Sequence, residues 1–286
     1  MEVWTASLYA CILEAKTFKP GNIYPGREGY ADLLLSGFLL GNTIREICED
    51  IHYAPSAGIG KYIHTAVIDR TRSVSTNTNL GIILLHVPLA IAAYKGGIEH
   101  LEETLDEVNH STTPDDAVDV MKAMRKSGAF VGTPENGPDI RCDEGVKEVF
   151  QKGYTLLDLF DISAQWDSIA SEWVHGFPIT FSGVKDLLSG KSILQLYLEI
   201  LAKYPDSLVR RKYGIKTAER VSRRASKILE HFSLDKLKLW DHELYTHGIN
   251  PGTTADLVSA AIFVALMKND TLLQRLLIES REIHGI

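Results

Sequence analysis

The sequence predicts an all-α protein: one globular domain over residues 1–286, with a dozen or more helices around a central buried helical core. Three observations lead there. Apolar residues recur at three- and four-residue spacing along most of the chain, and convincing two-residue alternation of strand type is missing. Two segments, Leu80 to Tyr94 and Leu257 to Met267, are apolar nearly all round, as only helices enclosed by other elements can be. Helix-start signals also punctuate the chain, among them Thr113-Pro114-Asp115-Asp116 and Asn250-Pro251.

The elements follow in order. Glu2 to Thr17 places Trp4, Leu8, Cys11 and Ala15 on one helical face, and Lys19-Pro20-Gly21-Asn22 ends it. Asp32 to Glu49 is apolar almost all round as far as Gly41. Ser56 to Thr71 carries Ile59, Ile63, Ala66 and Val67 at helical spacing. Leu80 to Tyr94 contains Pro88, which removes a backbone hydrogen bond and predicts a kink near Leu84. Ile98 to Val108 is amphipathic and acidic, and a helix from Pro114 reaches Ala129. Phe130 to Asp143, with two glycines and two prolines, reads as an exposed connection or a lid. Helices are then expected at 144–150, 154–174, 178–189, 191–204, 215–231, 234–246, 251–267 and 270–284. Asn250 is the expected N-cap of the penultimate one, with Pro251 at its first position. No heptad, low-complexity tract, solenoid repeat or composition shift interrupts the pattern.

Composition narrows the function classes. A net charge of −7 argues against nonspecific nucleic-acid binding, although local basic patches remain compatible with it. Cys11, Cys48 and Cys142 lack metal-ligand spacing and read as reduced core thiols of a cytoplasmic protein. Leu80 to Tyr94 is too short to span a bilayer, and no secretory leader is expected. Phosphate-loop, dinucleotide and nucleophile-elbow motifs are not found, which disfavours the α/β enzyme classes that use them. His64, His86, His175 and His247 form no metal-ligand pair and read as packing or capping residues. Trp166, Trp173, Phe177 and Phe181, at roughly helical spacing, read as core or as the wall of a pocket for a planar base.

Candidate site residues lie where polar segments enter apolar helices. Gly248-Ile-Asn-Pro-Gly-Thr-Thr-Ala-Asp256 sets Gly252, Thr253 and Thr254 beside unpaired N–H groups, an arrangement that attracts anions. Its alternative is a capped core helix with one acid. Ser73 to Asn79 enters Leu80 to Tyr94 in the same manner, offering Asn77 and Asn79, and Asp32 heads a third apolar helix. Lys19-Pro20-Gly21-Asn22 behind Glu14 reads either as a helix C-terminus or as a phosphate-contacting loop. Asp206, Arg210, Arg211 and Lys212 read either as a solvated ion pair at i,i+4 spacing or as cations for a polyphosphate.

Taken in order, these motifs resemble the triphosphoribosyl-dephospho-coenzyme A synthase family. The matching pieces are Glu14 with Lys19-Pro20-Gly21, and Asp32 ahead of Leu-Leu-Leu-Ser-Gly-Phe38. Ile59-Gly60 leading to Asn77-Thr78 and Gly81, Asp206 through Gly214, and Pro251-Gly252 with Ala255-Asp256-Leu257 complete them. The chain departs from the family pattern in four places, one being Lys212-Tyr-Gly214 in place of an Arg-Gly-Gly ending. Asn77-Thr-Asn-Leu-Gly81 stands for Asn-Thr-His-Lys-Gly, Gly29-Tyr30 lacks a histidine, and Pro251-Gly-Thr-Thr254 stands for Pro-Gly-Gly-Ser.

The resemblance implies a Mg²⁺-dependent transferase that moves the triphosphoribosyl group of ATP to the 2′-hydroxyl of dephospho-CoA and releases adenine. It implies small-molecule substrates, with no nucleic-acid or membrane partner. Glu14, Asp32 and Asp256 are then expected around the metal, and Asp32 or Asp256 as the base. Lys19, Gly21, Asn22, Asn77, Asn79, Asp206, Arg211, Lys212, Gly252, Thr253 and Thr254 are expected to serve the nucleotide and its phosphates. The alternatives are ribosyl transfer from ATP or phosphoribosyl pyrophosphate to another precursor such as a pterin, and a helical nucleotide-binding protein without catalysis.

Overall fold

A computed structural model describes residues 1–53, 58–74, 79–128 and 137–282. Among them it contains sixteen helices and no strand, as expected from the helical periodicity. The first nine are α1 (Val3–Lys16), α2 (Tyr30–Tyr53), α3 (Ile59–Ser73), α4 (Leu80–Gly96), α5 (Leu101–His110), α6 (Pro114–Ser127), α7 (Asp143–Lys152), α8 (Leu156–Ser163) and α9 (Ser168–His175). The others are α10 (Pro178–Leu188), α11 (Ile193–Lys203), α12 (Ser207–Tyr213), α13 (Ile215–Glu230), α14 (Leu234–Thr246), α15 (Gly252–Lys268) and α16 (Leu272–Glu282). Contacts divide the chain into two compact units, residues 1–8 with 32–178 and residues 9–31 with 179–286.

The first unit is built on α4, whose residues from Leu80 through Ala93 are all buried. Pro88 cannot donate a backbone hydrogen bond, so the carbonyl of Leu84 loses its helical donor. Trp173 replaces it: its indole Nε1 donates to Leu84 O at 2.9 Å. The helix runs without interruption through Pro88. Trp173 is fully enclosed, with Phe160 at 4.8 Å and Phe177 at 6.4 Å between ring centroids, and Asn109 Nδ2 donates to its carbonyl. Its core reading holds. His86, also on α4, is buried with Nδ1 2.9 Å from Ser7 Oγ. At the N-cap position of α4, Asn79 is buried, and neither amide atom has a hydrogen-bond partner among the described residues. Asn77, the expected helix end Ala129 and residues 130–136 of the expected long loop lie outside the described residues.

Asp116 joins two helix starts in this unit. It forms a capping box with Thr113 at the head of α6, and its Oδ1 accepts the N–H of Gly60 at 2.8 Å, in the first turn of α3. The approach requires glycine, since a Cβ on Gly60 would lie 2.5 Å from both Cα and O of Asp116. Gly60→Ala must therefore push two packed helices apart, and we expect a loss of about 2 kcal/mol in urea unfolding. An unchanged midpoint would show that the helices separate freely.

The segment expected as one helix over 154–174 is two, α8 and α9. Asp167 ends the continuity by accepting the N–H groups of Ile169 and Ala170, a cap that starts a new helix. Among the described residues no single helix is long and apolar enough to cross a membrane; α4 and α5 pass that test only together, and they meet at 117°.

The second unit is built on α15, whose residues Leu257 through Leu266 are buried. The helix α10 comes close at Gly183, where a Cβ would stand 2.9 Å from Ala261 Cβ. The helix α12 does not show in the periodicity and is an addition to the expected set. Residues 9–31 add the end of α1 and the strap that follows it.

Candidate active site

In the second unit the strap from Thr17 to Gly29 is held by hydrogen bonds and ion pairs. The helix α1 ends where the Thr17 hydroxyl turns back and donates to Leu13 O at 2.7 Å. Lys19 then folds under the chain, fully buried. Its ammonium makes an ion pair with Glu14 Oε1 at 3.0 Å and donates to the carbonyls of Thr17, Ile23 and Glu14. Burial raises the pKa of Glu14 and lowers that of Lys19, and their attraction opposes both shifts. Lys19 was expected to hold phosphate; the structure encloses it, with its N–H groups already taken. Glu14 Oε2 is buried and has no hydrogen-bond partner among the described residues.

The rest of the strap hangs on residues from the far end of the sequence. Tyr197 Oη donates to Pro20 O at 3.0 Å, and Asn22 Nδ2 donates to Pro251 O at 3.3 Å. Gly21 adopts φ +75°, and a Cβ there would strike Ile249 O at 2.6 Å, so only glycine fits. Its N–H donates to Asp241 Oδ1 at 2.9 Å. The other oxygen of Asp241 accepts from Tyr24 Oη at 2.7 Å and pairs with Arg27 at 2.5 Å. Arg27 in turn lies over the ring of Tyr245 at 3.7 Å. Burial, with the Asp241 carboxylate beside it, pushes the Tyr24 hydroxyl up to about 12.

Asp206 is the second hub. Its Oδ1 accepts the N–H of Val209 at 2.9 Å, capping α12, while Oδ2 accepts both N–H and hydroxyl of Thr254 at 2.8 Å. Asp206 was expected to face Arg210 as a solvated pair or to serve phosphates. It is 2% exposed and ties two helix starts together instead. Burial raises its pKa against those donated hydrogen bonds. The expected cap of α15 is corrected too: Pro251, not Asn250, stands at the N-cap position, and it offers no side-chain bond. Asp206 supplies the missing acceptor from another helix, so Thr254 gives its donors to the fold rather than to a phosphate.

Two of the expected acids share a neighbourhood. The buried thiol of Cys11, on α1, is pushed up by its burial and by Glu14, with Asp256 acting in the same direction; Ser259 hydrogen-bonds to it and opposes the rise. Tyr197 is likewise pushed up by burial, with Asp206, Glu14 and Asp241 adding to the effect. This unit thus gathers Glu14, Lys19, Gly21, Asn22, Asp206, Gly252, Thr253, Thr254 and Asp256, with Arg211 half-buried and Lys212 exposed at the end of α12. Asp32, half-buried in the first turn of α2, and Asn79 belong to the first unit. Among the described residues no three His, Cys, Asp or Glu side chains form a metal-holding group. The expected metal-holding trio is divided between the units, with Glu14 and Asp256 in the second and Asp32 in the first. Two acids and an unbonded carboxylate oxygen fit the other way of holding Mg²⁺, in which one or two carboxylates work with substrate phosphates and water.

Sequence reasoning missed Asp241, Tyr197, Tyr24 and Arg27. None of the four carries a local signal, because their partners lie far away in the sequence.

A helical fold, without strands among the described residues and with Glu14 and Asp256 near one buried thiol, is here that of an all-helical transferase. The chain belongs to the ATP:dephospho-CoA triphosphoribosyl transferase family, whose model matches residues 2–274. Among solved structures it is similar to a candidate triphosphoribosyl-dephospho-coA synthase from Archaeoglobus fulgidus. The two are 29% identical with a TM-score of 0.70, over 82% of this chain and 99% of the other. No curated protein matches the chain.

Proposed function

We propose that residues 1–286 act as one catalytic domain that transfers the triphosphoribosyl group of ATP to the 2′-hydroxyl of dephospho-CoA. The C1′–N9 bond of ATP breaks, a bond from C1′ to the 2′-oxygen forms, and adenine leaves with a proton. The observation that carries this reading is the family match over residues 2–274; Glu14 and Asp256, both near one buried thiol, and an unbonded Glu14 oxygen support it. Negative charge held there favours a ribosyl centre that becomes positive as its C–N bond breaks. Asp256 accepts the hydroxyl proton; Asp32 is the other carboxylate the sequence nominates for that role. Arg211 and Lys212 face the phosphates; Glu14 and Asp256 would hold Mg²⁺ together with the triphosphate, and the ion would supply charge neutralisation there. The substrates are small molecules, and the reading places the work in the cytoplasm without nucleic-acid or membrane partners.

Incubation with ATP, dephospho-CoA and Mg²⁺ is expected to release free adenine, measured by chromatography. Asp256→Asn is expected to slow that release about 100-fold with an unchanged unfolding midpoint. If Asp256→Asn keeps full activity and Asp32→Asn loses it, the base is Asp32; activity in both removes the assignment.

Asn79 favours a second reading, in which another acceptor such as a pterin is ribosylated from ATP or phosphoribosyl pyrophosphate. Its buried amide has no bonded partner among the described residues, and it stands where the family pattern has histidine. Release of adenine from ATP, or of pyrophosphate from phosphoribosyl pyrophosphate, with a pterin but not with dephospho-CoA would select that reading.

A further inference from the structure

Residues 210–227 hold eight lysines and arginines against one acid, Glu219. The chain as a whole has 30 such cations and 37 acids, so the remainder carries 22 against 36. This segment is a strongly positive island in an acidic protein. On α13 the positive charges fall at Lys216, Arg220, Arg223, Arg224 and Lys227, a spacing that puts them on one helical face. All five are exposed, while Ala218, Val221, Ala225 and Ile228 are buried. The stripe is about 16 Å long at the helical rise. Among the described residues only Arg223 has a carboxylate partner, Glu219 at 3.6 Å, an exposed pair of small worth. A merely solvated face would interleave acids at i,i+4 spacing, as α7 does with Glu148 and Lys152.

We propose that this face of α13 is a landing surface for short polyphosphates. It continues the Arg210-Arg211-Lys212 cations of α12, which packs against α13. The need for it is visible in the second unit: Lys19 is enclosed, its ammonium already paired with Glu14. The acidic remainder selects the length of the ligand. A long nucleic acid would also run over repelling surface, whereas a nucleotide triphosphate or a coenzyme pyrophosphate meets the stripe alone. Which of those substrates uses it rests on the proposed function; the binding of polyphosphate does not.

The test is the triple substitution Lys216→Gln, Arg220→Gln and Arg224→Gln, all at exposed positions, first checked for an unchanged urea midpoint. Calorimetry with inorganic tripolyphosphate at low and high salt is expected to show native binding that weakens with salt. The triple variant should bind about 10-fold more weakly at low salt, with a flatter salt dependence. In turnover, KM should rise for ATP or for dephospho-CoA while kcat holds, and the substrate affected names the one that lands there. Equal tripolyphosphate affinity in the two proteins, or none in the native one, overturns the proposal and leaves a solvated face. Loss of binding to an RNA oligomer with tripolyphosphate unaffected overturns it in favour of a nucleic-acid surface. If tripolyphosphate binds through the stripe but no adenine is ever released, the landing surface stands and the proposed reaction falls.

Discussion

Lys19→Met is expected to cost about 3–5 kcal/mol of folding stability, measured as a lower urea midpoint at unchanged slope. The methionine stem occupies nearly the volume of the lysine stem, so packing changes little. What is lost is the ammonium. It stands between the Glu14 carboxylate and three backbone carbonyls, all away from water. Without it a buried carboxylate has no counter-charge, and breaking one side of such a pair is the costly operation. The double variant Glu14→Gln with Lys19→Met should lose less than the sum of the two single variants. The pH dependence has a definite sign. Burial already raises the pKa of Glu14 above its unfolded value, and removing Lys19 raises it further. The folded variant then binds a proton more readily than the unfolded chain, so this contribution is present at low pH and is lost as pH rises through the folded pKa. The deficit of Lys19→Met against the native protein should therefore shrink as pH falls toward the carboxylate range. Were Lys19 instead a phosphate ligand, the variant would fold like the native protein and only its KM for ATP would rise.

This lysine shows what was legible in the sequence and what was not. Helical periodicity announces most elements because a buried helix must be apolar on its inward face, and α4 and α15 are apolar on every face. It misses α12, where only Leu208 and Val209 are apolar in seven residues and the rest reads as a charge run. It merges α8 with α9, because the break depends on one side chain, Asp167, turning back to cap. The polar residues of the site were legible by type: Glu14, Lys19, Asn22, Asp206 and Thr254 were all marked. Their partners were not, because the bonds that decide their roles close over long separations. Gly21 meets Asp241 and Pro20 meets Tyr197 across about two hundred residues, and no local pattern encodes such a meeting. The Glu14–Lys19 pair is close in sequence yet equally hidden. A five-residue spacing brings two side chains together only because the helix stops at Lys16 and the chain doubles back.

Asp206→Asn carries the second large expected effect, about 3 kcal/mol, and it tests whether this acid acts as a cap or as a phosphate ligand. The carboxylate accepts from three donors, Val209 N–H on one oxygen and the Thr254 N–H and hydroxyl on the other. Asparagine keeps one oxygen and replaces the other with an amide that can only donate. Whichever way it turns, a donor faces a donor at the start of α12 or of α15, in a place water does not reach. Asp206→Ser, which keeps an acceptor for Val209 alone, should release α15 and leave the cap of α12. Hydrogen exchange separates the two ends: with serine, protection should fall at Thr254 and Ala255 and persist at Val209 and Arg210. Because α15 carries Asp256 at its N-terminal end, adenine release should fall with the same substitutions that loosen Thr254. A variant that keeps α15 protected yet loses turnover would instead place the Asp206 carboxylate on the substrate.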